Sequence, residues 1–469
     1  MNIFSGNSTA GKLSVMAALL LQGLVPASAW EWNVHPDCEL EDPDPGECDT
    51  SAVWWWAHDG VADPSYGSIS HVGVAENQSS SLGTPAIIYV AHPTNPTVPY
   101  YFEVKTNIGS VIKPVAKFKN TATSSYSIIS TPSLSITPSG DAYAAFAVFF
   151  SDSTNKRVNI YAYKYDGVNS KWGSTNVIWP GPNLHGYGYE VGPFDVQIYD
   201  LEHWVFGGSF WSQATSTSEY YWRYRLYMKD GSDQAVKVLN QAVYSDFDDD
   251  EPELSGPVPF SYKVGNSSSS PSTLVYNAAT SYGSTGAPIA QQLKAFHYKE
   301  VSGLNNDEVE LDSIIKNTYV PYFALVTTNA NKRHVVYQYI STPPTPNWLY
   351  CATSSAVNSW STHQPVASGP WGYEAIYGEP IAAAANPNAS SDAFDVFCWA
   401  PASYDPNIAT VLRHSSGTSY TIDNVITDTS SVLSRPGSKS IGVDGEGGNT
   451  VSLYTSLHGS EVAVSYEVE

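Results

Sequence analysis

Six prolines, Pro132, Pro193, Pro257, Pro321, Pro380 and Pro436, recur at intervals of roughly 60 residues, and each opens a stretch that reads as β-strand. A fixed period of this size marks a repeat architecture. Behind each proline comes a short strand such as SLSIT (133–137) or YFALV (322–326). A polar turn follows, then a more apolar strand such as AYAAFAVFF (142–150) or VFCWA (396–400). A third strand usually comes next, as in NIYAYKY (159–165). Short antiparallel strands repeated in this way predict the blades of a β-propeller, which leaves only short protected edges. One earlier unit fits the same frame, with His71-Val-Gly-Val as its first strand and AIIYVAH (86–92) as its second. The expected fold is all-β, a seven-bladed propeller. Ala52-Val-Trp-Trp-Trp-Ala is expected to close the ring as the outer strand of the last blade, with Trp54, Trp55 and Trp56 as packing residues.

The 32 Tyr and 14 Trp suit this reading, because aromatic side chains favour pleated, half-buried surfaces. Length alone would suggest about three domains of ~150 residues. Blades share one ring, so residues 30–469 are expected to form a single domain. Residues 1–29 read as a signal peptide: Lys12 precedes the apolar run LSVMAALLLQGLV (13–25), and Ala27-Ser28-Ala29 supplies small residues for cleavage. That run is too short to span a bilayer, and no later segment reaches ~18 uninterrupted apolar residues. The expectation is a soluble, secreted monomer with no membrane partner.

Four cysteines fit an oxidising compartment. Cys38 and Cys48 are expected to pair, and Cys351 and Cys398 are candidates for a second bridge; structural Zn²⁺ held with His363 and His414 is the alternative. The acidic run DFDDDEPE (246–253) reads as a solvated loop that could hold structural Ca²⁺ through its carboxylates. The formal net charge of −23 makes nucleic acid a poor partner. An anionic substrate would need locally concentrated positive charge.

In a propeller the first strand of each blade runs down the central channel and the second returns. The start of the first and the end of the second therefore share a face, and loops on that face usually form the site. His71 and His92 fall there in the first blade. Tyr126, Thr131 and Arg157 follow in the second. The third offers Tyr187 and Tyr189 in HGYGYE (185–190), Trp211 and Arg223. Tyr339 and Trp399 come from blades five and six. The chain has only six arginines. Arg is the preferred planar partner of a carboxylate, and His can move a proton near neutral pH. Two His, an Arg and a Tyr on one rim suit β-elimination from a uronic acid sugar, which requires no cofactor. His71, His92, Arg157 and Tyr189 are the candidate catalytic residues. Tyr187, Trp211, Arg223, Tyr339 and Trp399 are the candidate contacts for an anionic polysaccharide.

The first blade, SISHVGVAENQ…GTPAIIYVAHPTNPTVPYYFEV (68–104), resembles the opening blade of secreted propeller polysaccharide lyases, the ulvan lyases and related rhamnose–glucuronate lyases. His71 and His92 match that family's two histidines. STPSLSITPSGDAYAAFAVFF (130–150) matches its next frame, with Thr131 where the family has Tyr and Arg157 a few residues late. The resemblance implies a lyase acting on a uronate-containing polysaccharide. Two other functions fit a propeller. A glycoside hydrolase needs paired rim carboxylates, for which Asp195, Asp200, Glu202 and Glu379 are available. A lectin usually repeats one motif in every blade, whereas the rim residues here differ from blade to blade.

Overall fold

The computed structural model describes residues 33–34, 52–58, 66–79, 86–93, 101–108, 111–174, 176–181, 191–213, 220–231, 235–245, 260–265, 272–282, 288–298, 307–310, 323–328, 332–339, 348–356, 359–361, 364–366, 381–385, 392–398, 408–416, 419–427, 433–434, 441–443, 450–456 and 461–467. All the regular structure among them is β-strand. Four sheets have four strands each, one has five, and one has 13. Within each small sheet, strands consecutive in sequence pair antiparallel, as in a meander.

The first blade is Tyr66–Val74, Ile87–Pro93, Tyr101–Ile108 and Val111–Lys119. The second blade carries Ser133–Ile136, Ala142–Asp152 and Lys156–Asp166 from the inside outward. It belongs to the 13-stranded sheet, joined through parallel contacts of Glu76 with Val443 and Ser135. The same sheet contains the C-terminal strands and, as the sequence predicts, Ala52–His58 on the outside of Glu461–Glu467. The signal peptide, Cys38, Cys48, His363 and the acidic run at 246–253 lie outside the described residues.

The apolar core lies between blades rather than inside any one of them. One cluster joins Phe102 and Phe118 of the first blade to Phe146 and Tyr163 of the second. Similar clusters join the second blade to the third, and so on as far as the sixth. Both faces of each sheet are thus covered. That explains why a second strand such as AYAAFAV is buried at every position rather than alternating.

Polar stitches repeat with the proline period. The Ile198 N–H donates to Ser133 Oγ at 3.2 Å, the Tyr262 N–H to Gln197 Oε1 at 2.7 Å, and the Leu325 N–H to Ser261 Oγ at 3.0 Å. Each links the inner strand of one blade to the inner strand of the next. Together these strands surround a cavity of about 350 Å³ lined by residues from six blades, among them Leu134, Tyr199, Phe323 and Ile381. Lys263 Nζ reaches across it to Glu76 Oε1 at 2.8 Å. Inner strands around a central channel, with core packed between successive meanders, make this a β-propeller.

The candidate bridge between Cys351 and Cys398 is not formed. Cys351 carries a buried thiol. Its Sγ lies 4.0 Å from both His334 Nδ1 and Thr353 Oγ1. Cys398 pairs with Ile381 at the head of its blade's inner strand. His334 bonds Asp392, at the opposite end of that blade.

Candidate active site

The first two blades share an irregularity. In the first, the inner strand pairs normally at Ser68–Ser70, then shifts register between Ser70 and Gly73. In the second, Ser124–Ile128 pairs with the upper half of Ala142–Asp152, and Ser133–Ile136 pairs with the lower half. Bulges of this kind re-aim side chains.

His71 sits in the first of these breaks, with φ of 52°. This corrects the expectation that His71 begins its strand, which starts at Tyr66. A non-glycine residue in the left-handed region stores strain, and such outliers concentrate at functional sites. The His71 ring is exposed. His92 lies at the end of the second strand, opposite Ser68. It is half-buried, and burial pushes its pKa below the ordinary imidazole value. Sequence reasoning missed Ser70, which joins the two rings. Its Oγ lies 2.8 Å from His71 Nδ1 and 2.8 Å from His92 Nε2. No sequence signal marks a serine beside a histidine as special; only the bulge brings both rings to it.

Ser68, Ser70, His92 and Phe102 lie on the sheet face that packs against the second blade. A run of ring contacts crosses that interface. His92 lies 6.4 Å from Phe102, Phe102 stacks on Phe118 at 5.0 Å, and Phe118 meets Tyr126 at 5.4 Å. Tyr126 and Arg157 are both paired with Phe150, so all three share one face. Tyr161 lies two residues along from Arg157 on that face. Burial pushes its pKa up, the nearby Tyr126 adds to the rise, and an Asn159 hydrogen bond and the Arg157 charge oppose it. Arg157 Nη2 donates to Asn155 Oδ1 at 2.8 Å. Its Nε is buried and has no hydrogen-bond partner among the described residues. A buried guanidinium donor without a partner requires an explanation.

The interface between blades one and two thus holds His71, His92 and Ser70 on one side. Arg157, Tyr126 and Tyr161 stand on the other, with Phe102 and Phe118 of blade one between the two groups. Thr131 lies in the short break between the two inner strands of blade two. Arg223 is elsewhere. It is paired with Phe210, and Arg225 beside it lies over the Phe210 ring at 5.8 Å, in the interface between blades two and three. Burial lowers the Arg225 pKa, and the Arg223 charge lowers it further against an opposing effect of Tyr227. Tyr187, Tyr189, Trp399 and Glu379 lie outside the described residues, as do the side chains of Trp211 and Tyr339.

Two of the four carboxylates available for hydrolysis lie at the opposite end of the channel, and Asp195 lies within the inner strand of blade three, paired with Gly207. Asp200 and Glu202 occupy the turn after the inner strand of blade three. Asp200 Oδ1 meets His203 Nδ1 at 2.8 Å, His203 Nε2 lies 3.3 Å from Asp230, and Glu202 pairs with Lys229. Burial works to raise the Asp200 pKa, but the His203 contact and backbone N–H donors hold it below the usual value. Among the described residues no group of three or more His, Cys, Asp or Glu side chains is arranged to hold a metal ion.

No protein-family model matches the chain, and no curated protein does. Solved structures resemble it loosely. An α-L-arabinanase of Penicillium chrysogenum complexed with arabinobiose aligns over 72% of this chain and 92% of its own, with 15% identity and a TM-score of 0.43. A family GH93 α-L-arabinofuranosidase of Fusarium graminearum with arabinobiose aligns over 87% and 94%, with 11% identity and a TM-score of 0.41. A family PL25 ulvan lyase bound to -[GlcA(1-4)Rha3S]- aligns over 86% and 95%, with 10% identity and a TM-score of 0.40.

Proposed function

We propose that this protein is a secreted polysaccharide lyase, built on a seven-bladed propeller, that cleaves a uronate-containing polymer by β-elimination between blades one and two. One observation carries the reading. Two imidazoles joined through Ser70 face, across a single interface, an arginine whose buried Nε has no partner among the described residues. The proton beside a uronate carboxylate becomes removable when fixed positive charge neutralises the developing enolate. Arg157 supplies that charge through a planar fork suited to a carboxylate. His92, kept neutral by burial, and the exposed His71 are the proton carriers. Tyr126, across the interface beside Arg157, is the proton donor to the leaving oxygen; Tyr189, the tyrosine the sequence offers for catalysis, lies outside the described residues. No step needs a metal or an organic cofactor.

Mutants test the assignment. His71→Ala and His92→Ala should each lower kcat by about 10²-fold or more, the usual effect of losing a general acid or base. Arg157→Lys should also be costly, because an ammonium does not replace a bidentate fork. Near-full activity in both histidine variants, on a polymer the wild type cleaves, would remove this catalytic assignment. The lectin reading predicts instead retention on a sugar column without cleavage. Against the hydrolase reading, Asp200 and Glu202 are engaged at the other end of the channel; Glu379 lies outside the described residues.

A further inference from the structure

We propose that Ser70 is a positioning residue that forces His71 and His92 to hold matched tautomers and passes a proton between them. The inference deepens the lyase reading and, for its catalytic consequence, rests on it. Ser70 Oγ stands 2.8 Å from one nitrogen of each ring, Nδ1 of His71 and Nε2 of His92. A hydroxyl has one proton to donate and lone pairs to accept with. With both rings neutral, two arrangements satisfy both contacts and also give the Ser70 hydroxyl proton a ring nitrogen as its acceptor. In one, His71 Nδ1–H donates to Ser70 Oγ and the Ser70 hydroxyl donates to His92 Nε2. Both rings then carry their proton on Nδ1. In the other, His92 Nε2–H donates to Ser70, which donates to His71 Nδ1, and both rings carry their proton on Nε2. A mixed pair either points two N–H donors at Ser70 Oγ, which leaves the hydroxyl proton no ring nitrogen to go to, or offers two unprotonated nitrogens to one hydroxyl proton.

The two arrangements interconvert by moving protons along the chain, and the bookkeeping closes. In the first, His71 Nε2 is bare and can take a proton from a C–H bond whose electron pair stays on carbon. His71 Nδ1–H then passes its proton to Ser70 as the Ser70 hydroxyl proton moves to His92 Nε2. His71 is left neutral with its proton on Nε2, and His92 becomes the imidazolium. Loss of the His92 Nδ1 proton gives the second arrangement. One proton enters, one leaves, and nothing is oxidised or reduced. The left-handed backbone of His71 and the register shift that starts at Ser70 coincide with this bridge. The strain sits at the residues that the relay needs.

The test is ¹⁵N NMR of the histidine rings in the full chain, with the two signals assigned through His71→Ala and His92→Ala. Wild type should show both rings as Nδ1–H, both as Nε2–H, or exchanging together. Ser70→Ala should uncouple them, and Ser70→Thr, which keeps the hydroxyl, should restore the match. A mixed pair in wild type, or matched rings that persist in Ser70→Ala, overturns the proposal. If a polymer is cleaved, Ser70→Ala should lower kcat by less than the ~10²-fold of a lost general base, with KM held. Matched tautomers in a protein that cleaves nothing would overturn the lyase reading and leave the Ser70 inference standing.

Discussion

His71 combines an exposed imidazole with a φ of 52°. A left-handed conformation costs an L-residue with a Cβ about 1–2 kcal/mol, and glycine adopts it freely. His71→Gly is therefore expected to unfold at equal or higher urea than His71→Ala while both lose activity. A glycine variant clearly less stable than the alanine variant would show that the backbone there is unstrained. The sequence placed His71 at the head of an inner strand and His92 at the end of its neighbour; His71 instead lies in a register break inside a strand that starts at Tyr66. Ser70 was not legible, since its role depends on a register shift that only three-dimensional pairing reveals. Arg157 was legible as a rare arginine on the expected rim. Its alignment with Tyr126 through Phe150 was not, because the extra strand Ser124–Ile128 lies ahead of the proline that marks the repeat.

At the scale of elements, side chains on paired strands of a blade lie close enough that some glycines have no room for a methyl. A Cβ on Gly208 would lie 2.4 Å from the Phe194 ring on the adjacent inner strand. Gly208→Ala should destabilise the fold by roughly 1–3 kcal/mol, the usual cost of overpacking, as read by urea denaturation. A second joint sets an acid limit. Between blades five and six, Asp392 accepts from Thr328 Oγ1 at 2.7 Å, Lys332 Nζ at 2.8 Å and His334 Nε2 at 2.9 Å. Burial lowers the His334 pKa from 6.5 to about 4, against the opposing pull of Asp392. Burial works to raise Asp392, but its three donors bring it from 3.8 to about 2. The unfolded chain binds the His334 proton first, so stability falls as pH drops from 6.5 towards 4. The Asp392 contribution is complete above 3.8 and is lost as pH falls towards 2. Thermal melts of wild type should show the first slope, and His334→Gln should flatten it even if its melting point at neutral pH is lower. An unchanged slope in that variant would place the acid sensitivity elsewhere. The sequence showed the strands of these blades but not this joint, because its partners lie 58 to 64 residues apart.

For the molecule as a whole, the proline period was the most legible feature. Each copy must bury its faces against the next, so the repeat shows in the sequence even where side chains differ. Closure was legible too, since the tryptophan-rich strand Ala52–His58 pairs with Glu461–Glu467, more than 400 residues later. Deleting residues 1–60 should expose that C-terminal strand edge and produce association or a lower melting temperature, visible by size exclusion and calorimetry. An unchanged elution volume and melting temperature would mean that the ring does not depend on this strand. The ion pair of Glu76 and Lys263 across the channel left no local trace, its members being 187 residues apart. What the first two blades do together is the central claim, and the most direct measurement is ultraviolet absorbance during incubation with a panel of uronate polysaccharides. β-Elimination leaves an unsaturated ring that absorbs, and hydrolysis does not. The account predicts a rise on at least one uronate polymer, lost in His71→Ala and in His92→Ala. Shortening of a polymer with no rise in absorbance would contradict it.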